Sequence, residues 1–417
     1  MAFDLTRIRA QFPSLSKADD GVPRLYFDNP AGTQVPQSVA DQMADCVLYK
    51  NANIGGYFRT SELAGEVANQ ARAAMADFVN APSPDEIIFG QNMTTITFHL
   101  SRSIGRHLQR GDEIILSQMD HDANVEPWKL LARDHGFEIR WLPFDTDTFE
   151  FDLSTLDDLL TSKTKMVCVG GASNLTGTIN DIKAICRKAR DAGAWSFIDG
   201  VQSAPHVTTD VQAFGCDFFV CSAYKFFGPH QGILWGRRDV LEQLDPYKVR
   251  PAPDDLPWCF EAGTQSHESM AGTAAAADYF AWVGATMAET GRAGDRRAQL
   301  MSGMELLLDH EHTLAARLVT GLQDIRGVTV QGITDPEAMH RRVSTVAFTH
   351  ARHAPQNIAK ALAERNIFVW SGHNYAIEAA RSLGILDAGG AVRIGAVHYN
   401  MADEIDTVLN ALEDILA

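Results

Sequence analysis

Between about residues 85 and 240, short runs that are apolar throughout alternate with stretches of helical period. "EIIFG" (86–90) precedes "TTITFHLSRSIGRHL", "DEIILSQ" (112–118) precedes "VEPWKLLARDHG", and "KMVCVGG" (165–171) precedes "INDIKAICRKARDAG". "AWSFIDG" (194–200), "FFVCS" (218–222) and "GILWG" (232–236) then follow closely. A strand that is apolar on both faces has to be covered on both. Its alternation with helices predicts an α/β fold with a mostly parallel sheet between helical layers. Ligands on such sheets bind beyond the carboxyl ends of the strands. The polar residues that follow each run are therefore the first candidates for chemistry.

From about residue 291 the pattern changes. A long helical stretch, "RRAQLMSGMELLLDHEHTLAARLVTGLQDI", leads to strand candidates "VSTVAFTH", "NIFVWSG" and "AVRIGAVH", and then to helix "ADEIDTVLNALEDILA". This order predicts a smaller α+β domain at 291–417, after a large domain at 25–290. The segment 1–24 is expected to pack with the small domain. "AAAAD" (274–278) reads as the start of a helix rich in small residues.

Of the 417 residues, 45% are apolar, enough for a sizeable core. The net charge of −17 disfavours nucleic acid and acidic membrane surfaces as partners. The N-terminal "MAFDLTRIRAQFPSL" lacks the apolar core of a signal peptide. No stretch has the length and apolarity of a membrane span. The six cysteines form no C-x-x-C pair, and several sit in apolar runs. A reducing cytoplasm is the expected compartment. The 14 histidines show no tight ligand spacing, so no metal is expected, although "DHD" at 120–122 has the look of a ligand pair.

Asp199 ends the run "FIDG", and Lys225 follows the next run in "CSAYKFFGPHQG". Either one alone is an ordinary turn residue. Together, at successive strand ends, they match the needs of pyridoxal phosphate (PLP). That cofactor takes a lysine amine, made nucleophilic in a dry pocket, as a Schiff base, and an acidic partner for its pyridine nitrogen. Thr94 and Thr95 open a helix directly after a strand, where free N–H groups and the helix dipole favour a phosphate. A plain Thr cap explains them equally well. Ser222 is a third donor candidate.

These residues resemble the class V aminotransferase group of fold-type I PLP enzymes, in its cysteine desulfurase and selenocysteine lyase branch. The resemblance runs from "YFDNPAGTQVP" (26–36) almost to the C-terminus. "SAYKFFGPHQGILWG" is similar to the family's S-G-H-K-x-x-G-P-x-G-x-G-x-L, and "FIDGVQS", "HDANVEPW", "GASNLTGT", "FEAGT" and "VRIGAVHYN" follow the family order. The resemblance implies a large domain with a seven-stranded, mostly parallel sheet and a smaller α+β C-terminal domain. It implies that Lys225 carries the cofactor and that Asp199 pairs with the pyridine nitrogen. Gln202 would bond the ring's phenolic oxygen and His121 would stack on the ring. Thr94, Thr95 and Ser222 would hold the phosphate, with Tyr224 standing where relatives have a phosphate-contacting His. Asn174 would lie near the ring oxygen and the substrate carboxylate, and Arg393 would bind that carboxylate. Thr264 would reach the phosphate of a partner subunit, which implies a homodimer with composite sites.

Two stretches depart from the family. Relatives carry R-x-G-x-x-C-A, whose cysteine takes sulfur as a persulfide, where this chain has "WSGHNYA" with Trp370 and Tyr375. No cysteine follows Cys259. Relatives carry His and Arg residues where this chain has Gly55, Gly56 and Tyr57. The expected enzyme acts on an amino acid after Lys225 removes its α-proton. The favoured outcome is C–S β-elimination without a protein persulfide. Transamination, epimerisation and a non-catalytic PLP-binding role are the alternatives. Tyr375 and His373 are the candidates for protonating a leaving group.

Overall fold

The computed structural model describes residues 3–289 and 293–417. Its centre is a seven-stranded sheet built from β1 (Ile87–Gly90), β2 (Glu113–Ser117), β3 (Glu138–Leu142), β4 (Thr164–Gly170), β5 (Trp195–Asp199), β6 (Phe218–Ser222) and β7 (Gly232–Gly236). Their order across the sheet is β1-β7-β6-β5-β4-β2-β3. Strands β2 to β6 pair in parallel, and β7 is antiparallel to both of its neighbours. Strand β1 therefore points the same way as the parallel set, and only β7 opposes it. The central strands are buried residue by residue, as their apolar runs require.

The run "EIRWL" of β3 was not among the expected strands. It alternates polar with apolar residues because β3 lies at the sheet edge and is half exposed. The helices Met93–Gly105 (α1), Glu126–His135 (α2) and Ile182–Asp191 (α3) fall where the helical periods place them.

A second sheet has four antiparallel strands, β8 (Val328–Gln331), β9 (Thr345–His350), β10 (Trp370–Gly372) and β11 (Ala391–Gly395), in the order β8-β9-β11-β10. The run "NIFVWSG" is split by it. Ile367 and Phe368 pair in parallel with Leu25 and Tyr26, while Trp370–Gly372 joins β11. The chain's start is bound to its end elsewhere too. Arg9 donates to the Tyr399 carbonyl at 2.6 Å and pairs with Glu404 at 3.0 Å, and Asn366 donates to the Val22 carbonyl at 2.8 Å. The expected boundary at 290/291 lies outside the described residues.

The long helices α4 (His267–Met287) and α5 (Arg296–Asp324) pack side by side. "AAAAD" lies inside α4 and does not start it; the helix begins after Ser266, whose hydroxyl caps the Ser269 N–H. The small residues serve close packing. At Gly284 a Cβ would run into the Gln299 carbonyl oxygen, and at Gly303 it would meet the Phe280 carbonyl oxygen. Alanine is intrinsically about 1 kcal/mol better than glycine inside a helix, whereas forcing atoms into a packed contact costs about 1–3 kcal/mol. Gly284→Ala and Gly303→Ala are therefore expected to lower the thermal unfolding midpoint. A raised midpoint for both would contradict the close crossing.

Candidate functional site

The carboxyl ends of β2, β4, β5 and β6 open into a cavity of about 220 Å³. Lys225, Asp199, His121, Asn174, Gln202, Ser222, Tyr224, Thr94, Arg393 and Tyr375 all line it. The parallel strands deliver most of these residues. Arg393 arrives from β11 of the second sheet and Tyr375 from the turn after β10, and together they close the other side.

Lys225 ends a short turn after β6, ahead of the fully buried Phe226 and Phe227. Its Nζ donates to the Pro30 and Ala31 carbonyls at 2.6 and 2.8 Å. Burial and then the nearby Arg393 cation bring its pKa down to about 7, against the opposing pull of Asp199 and Asp28. A substantial fraction of neutral, nucleophilic amine is thus present at neutral pH. Asp199 accepts from the Val201 N–H at 2.9 Å. Burial lifts its pKa to about 6, and the backbone bond and Lys225 restrain the rise.

His121 accepts the Ala123 N–H on Nδ1 at 3.0 Å, which leaves the ring proton on Nε2. Burial, then Lys225 and Arg393, push its pKa down to about 3, so the ring is neutral. The Tyr375 ring stacks on it, with centroids 5.3 Å apart and planes 19° apart. Gln202 donates to the Thr345 hydroxyl at 2.8 Å. The Tyr224 ring lies 5.0 Å from the Lys225 amine and stacks on His230.

At the opposite end stands the N-terminus of α1. Ser222 Oγ accepts the Met93 N–H at 3.0 Å, and Thr94 borders the cavity. Thr95 does not border it. Its N–H and hydroxyl both bond the Asn92 cap, at 2.9 and 3.0 Å, and it lines a neighbouring cavity of about 660 Å³ together with Thr264. The plain Thr cap is not found either, because Asn92 caps the helix and Thr95 is bonded to that cap. Within one chain Thr264 is likewise remote from the Lys225 cavity.

Arg393 Nη1 donates to the Asn174 carbonyl at 2.9 Å, and Asn174 Nδ2 donates to the Asn374 carbonyl at 2.7 Å. Arg393 Nε, Asn174 Oδ1 and Asn374 Oδ1 are buried without any partner. Burial lowers the Arg393 pKa to about 10, with Asp28 opposing, so it remains a cation at neutral pH. A buried cation beside unpaired polar atoms is costly unless a ligand completes it.

His373 is not part of the cavity. It is exposed, and its Nδ1 accepts the Tyr375 N–H at 3.0 Å, a bond within the loop. Asn374, with Trp370, lines the cavity instead. Asp120 also went unrecognised as a cavity residue. It accepts from Ser117 Oγ, Asn124 Nδ2 and the Gly170 N–H at 2.7, 2.7 and 2.8 Å, and burial raises its pKa to about 7. Its place directly before His121 was the available signal. Among the described residues no group of three or more His, Cys, Asp or Glu side chains is placed to hold a metal.

This donor set fits pyridoxal phosphate. A partly neutral lysine, a buried carboxylate, a neutral imidazole and the hydroxyls of Ser222 and Thr94 at a helix N-terminus stand around one cavity, with buried polar atoms still lacking partners. The ammonium form of Lys225 is not a nucleophile. Uptake of PLP by cofactor-free protein, followed by its visible absorbance, is therefore expected to speed up as pH rises to about 7 and to level off above it. Lys225→Ala is expected to abolish the Lys-linked absorbance at every pH.

The aminotransferase class-V family model matches residues 25–408. The chain is 31% identical to a cysteine desulfurase of Yersinia pestis, over 100% of this chain and 99% of that protein. The structure resembles a cysteine desulfurase from Thermococcus onnurineus (TM-score 0.87, 26% identity, 100% and 99% of the two chains covered). It also resembles a cysteine desulfurase from Escherichia coli (TM-score 0.85, 25% identity, 100% of both chains covered). The chain belongs to the class V aminotransferase family, in its cysteine desulfurase-like branch, and is a PLP-dependent enzyme.

Proposed function

We propose that this enzyme is an amino-acid C–S lyase, which splits a β-carbon–sulfur bond without passing the sulfur to a protein thiol. One observation carries this reading. Tyr375, which stands where the resemblance puts the family's cysteine, lines the cavity, and no cysteine does. All six cysteines are buried elsewhere as free thiols.

PLP supplies an electron sink for the bonds at the α-carbon. The remaining work falls to the protein. Arg393 holds the substrate carboxylate, because a planar guanidinium matches it in charge and shape. His121 would stack on the cofactor ring, Asp199 would pair with the pyridine nitrogen, and Gln202 and Asn174 would bond the ring oxygen. Ser222 and Thr94, at the positive end of α1, would take the phosphate. The Lys225 amine accepts the α-proton. The β-sulfur departs with the electron pair of its C–S bond, and the Tyr375 hydroxyl gives it a proton. Addition of water then yields a thiol, pyruvate and ammonia from an S-substituted cysteine.

A homodimer completes the reading, with Thr264 of each chain serving the site of the other. Its support is the exposure of the large apolar side chains Val47, Leu48, Tyr49, Tyr57 and Phe58, of the kind that interfaces cover. No helix of the described residues is long and apolar enough to cross a membrane, and the free thiols suit the cytoplasm.

A panel of amino acids separates the chemistries. S-alkyl and S-aryl cysteines are expected to give pyruvate and thiol. A keto acid that keeps its side chain would mean transamination, a racemised amino acid epimerisation, and persulfide on the protein with cysteine a relay through a thiol. Tyr375→Phe is expected to slow S-alkyl substrates by about 10²-fold, the low end for a general acid, and S-aryl substrates less, because an aryl thiolate leaves unaided. Arg393→Lys is expected to raise KM by about tenfold or more, through loss of the forked contact.

A further inference from the structure

The loop 372–375 is held by more contacts than a cover for the cavity needs. We propose that Tyr375 is a positioning residue, whose ring and main chain latch this loop to the His121 segment and keep one imidazole face free for the pyridine ring of PLP. The proposal rests on the seating of the cofactor against His121, and not on which substrate bond is broken.

Three contacts form the latch. The Tyr375 ring covers one face of His121 at 5.3 Å. The Tyr375 carbonyl accepts the N–H of Asp122, the next residue after His121, at 2.7 Å. Asn174 Nδ2 donates to the adjacent Asn374 carbonyl at 2.7 Å. On the far side the loop is backed by Gly390, where a Cβ would overlap the Gly372 carbonyl.

The backbone shows that these contacts shape the loop. Asn374 and Tyr375 are consecutive left-handed residues, with φ of 52° and 58°. Asn tolerates that region, but an aromatic residue there is strained and is held only by surrounding contacts. The conformation turns the Tyr375 carbonyl to Asp122 and its ring to His121 together. An imidazole has two faces. With one taken by Tyr375, the ring cannot tilt away from a cofactor lying on the other.

The test reads the cofactor in the absence of substrate. Tyr375→Phe keeps the ring and is expected to retain the induced circular dichroism of bound PLP, with a Kd changed by no more than about twofold. Tyr375→Ala is expected to lose much of that signal and to bind PLP about tenfold more weakly, the scale of an aromatic pair. Asp122→Pro removes the N–H that donates to Tyr375, and Asp122→Ala, which loses the same carboxylate but keeps that N–H, is its control and is expected to leave both readouts near wild type. Proline is compatible there, at the first position of a short turn after the extended His121. It is expected to shift both readouts in the same direction and decides the matter if Tyr375→Ala does not fold. Wild-type dichroism and affinity in Tyr375→Ala would overturn the proposal. So would tighter binding, which would put the tyrosine on the cofactor's own face of His121. A failed elimination assay moves neither readout, so the two readings fall separately.

Discussion

A single buried carboxylate, Glu311, ties the two halves of this site. It sits on α5 and bonds His206 Nδ1 at 2.5 Å and the His398 N–H at 2.9 Å. His206 lies just beyond Asp199 and Gln202, and His398 just beyond Arg393. The Tyr279 hydroxyl, from α4, meets His398 Nε2 at 2.8 Å. Burial alone would raise the Glu311 pKa, but the two histidines overcome it and bring it down to about 2. The charge is therefore kept at neutral pH, and a buried charge with partners holds them firmly because losing one is so costly. The strand end that carries Asp199 and the strand that carries Arg393 share this anchor.

Within the cavity the same low-polarity surroundings act on four charged side chains. Lys225 and Arg393 are pushed down, and Asp199 and Asp120 are pushed up. Each moves toward its neutral form because burial penalises charge. These shifts make the site ready for an anionic cofactor and a zwitterionic substrate, whose charges replace the water that the side chains have lost. The unpaired atoms of Asn174, Asn374 and Arg393 express the same need in hydrogen bonds.

The legible part of the site was local. Lys225, Asp199, Ser222 and Asn174 each follow a strand that is apolar throughout, so their emergence at the carboxyl edge of the sheet follows from the pattern alone. Misplacements arose where a local signal had two solutions. Thr95 heads a helix, as does Thr94, but Asn92 engages its hydroxyl and turns it away from the cavity. His373 sits in the functional loop, yet the left-handed turn at Asn374 and Tyr375 puts it outside and carries Asn374 in. The edge strand β3 was invisible to a search for fully apolar runs, because an edge strand has a wet side.

By itself the chain determined the α/β architecture, the strand ends that carry chemistry, the PLP assignment and the absence of a cysteine beyond Cys259. Those follow from periodicity and residue type, which act over a few positions. Only the tertiary structure decided that Asp120 is buried in the cavity, that His121 is neutral, and that Tyr375 lies on the imidazole with its carbonyl on Asp122. These are properties of groups far apart in the chain. They depend on distance, burial and backbone strain, and none of these exists until the second sheet folds down against the first.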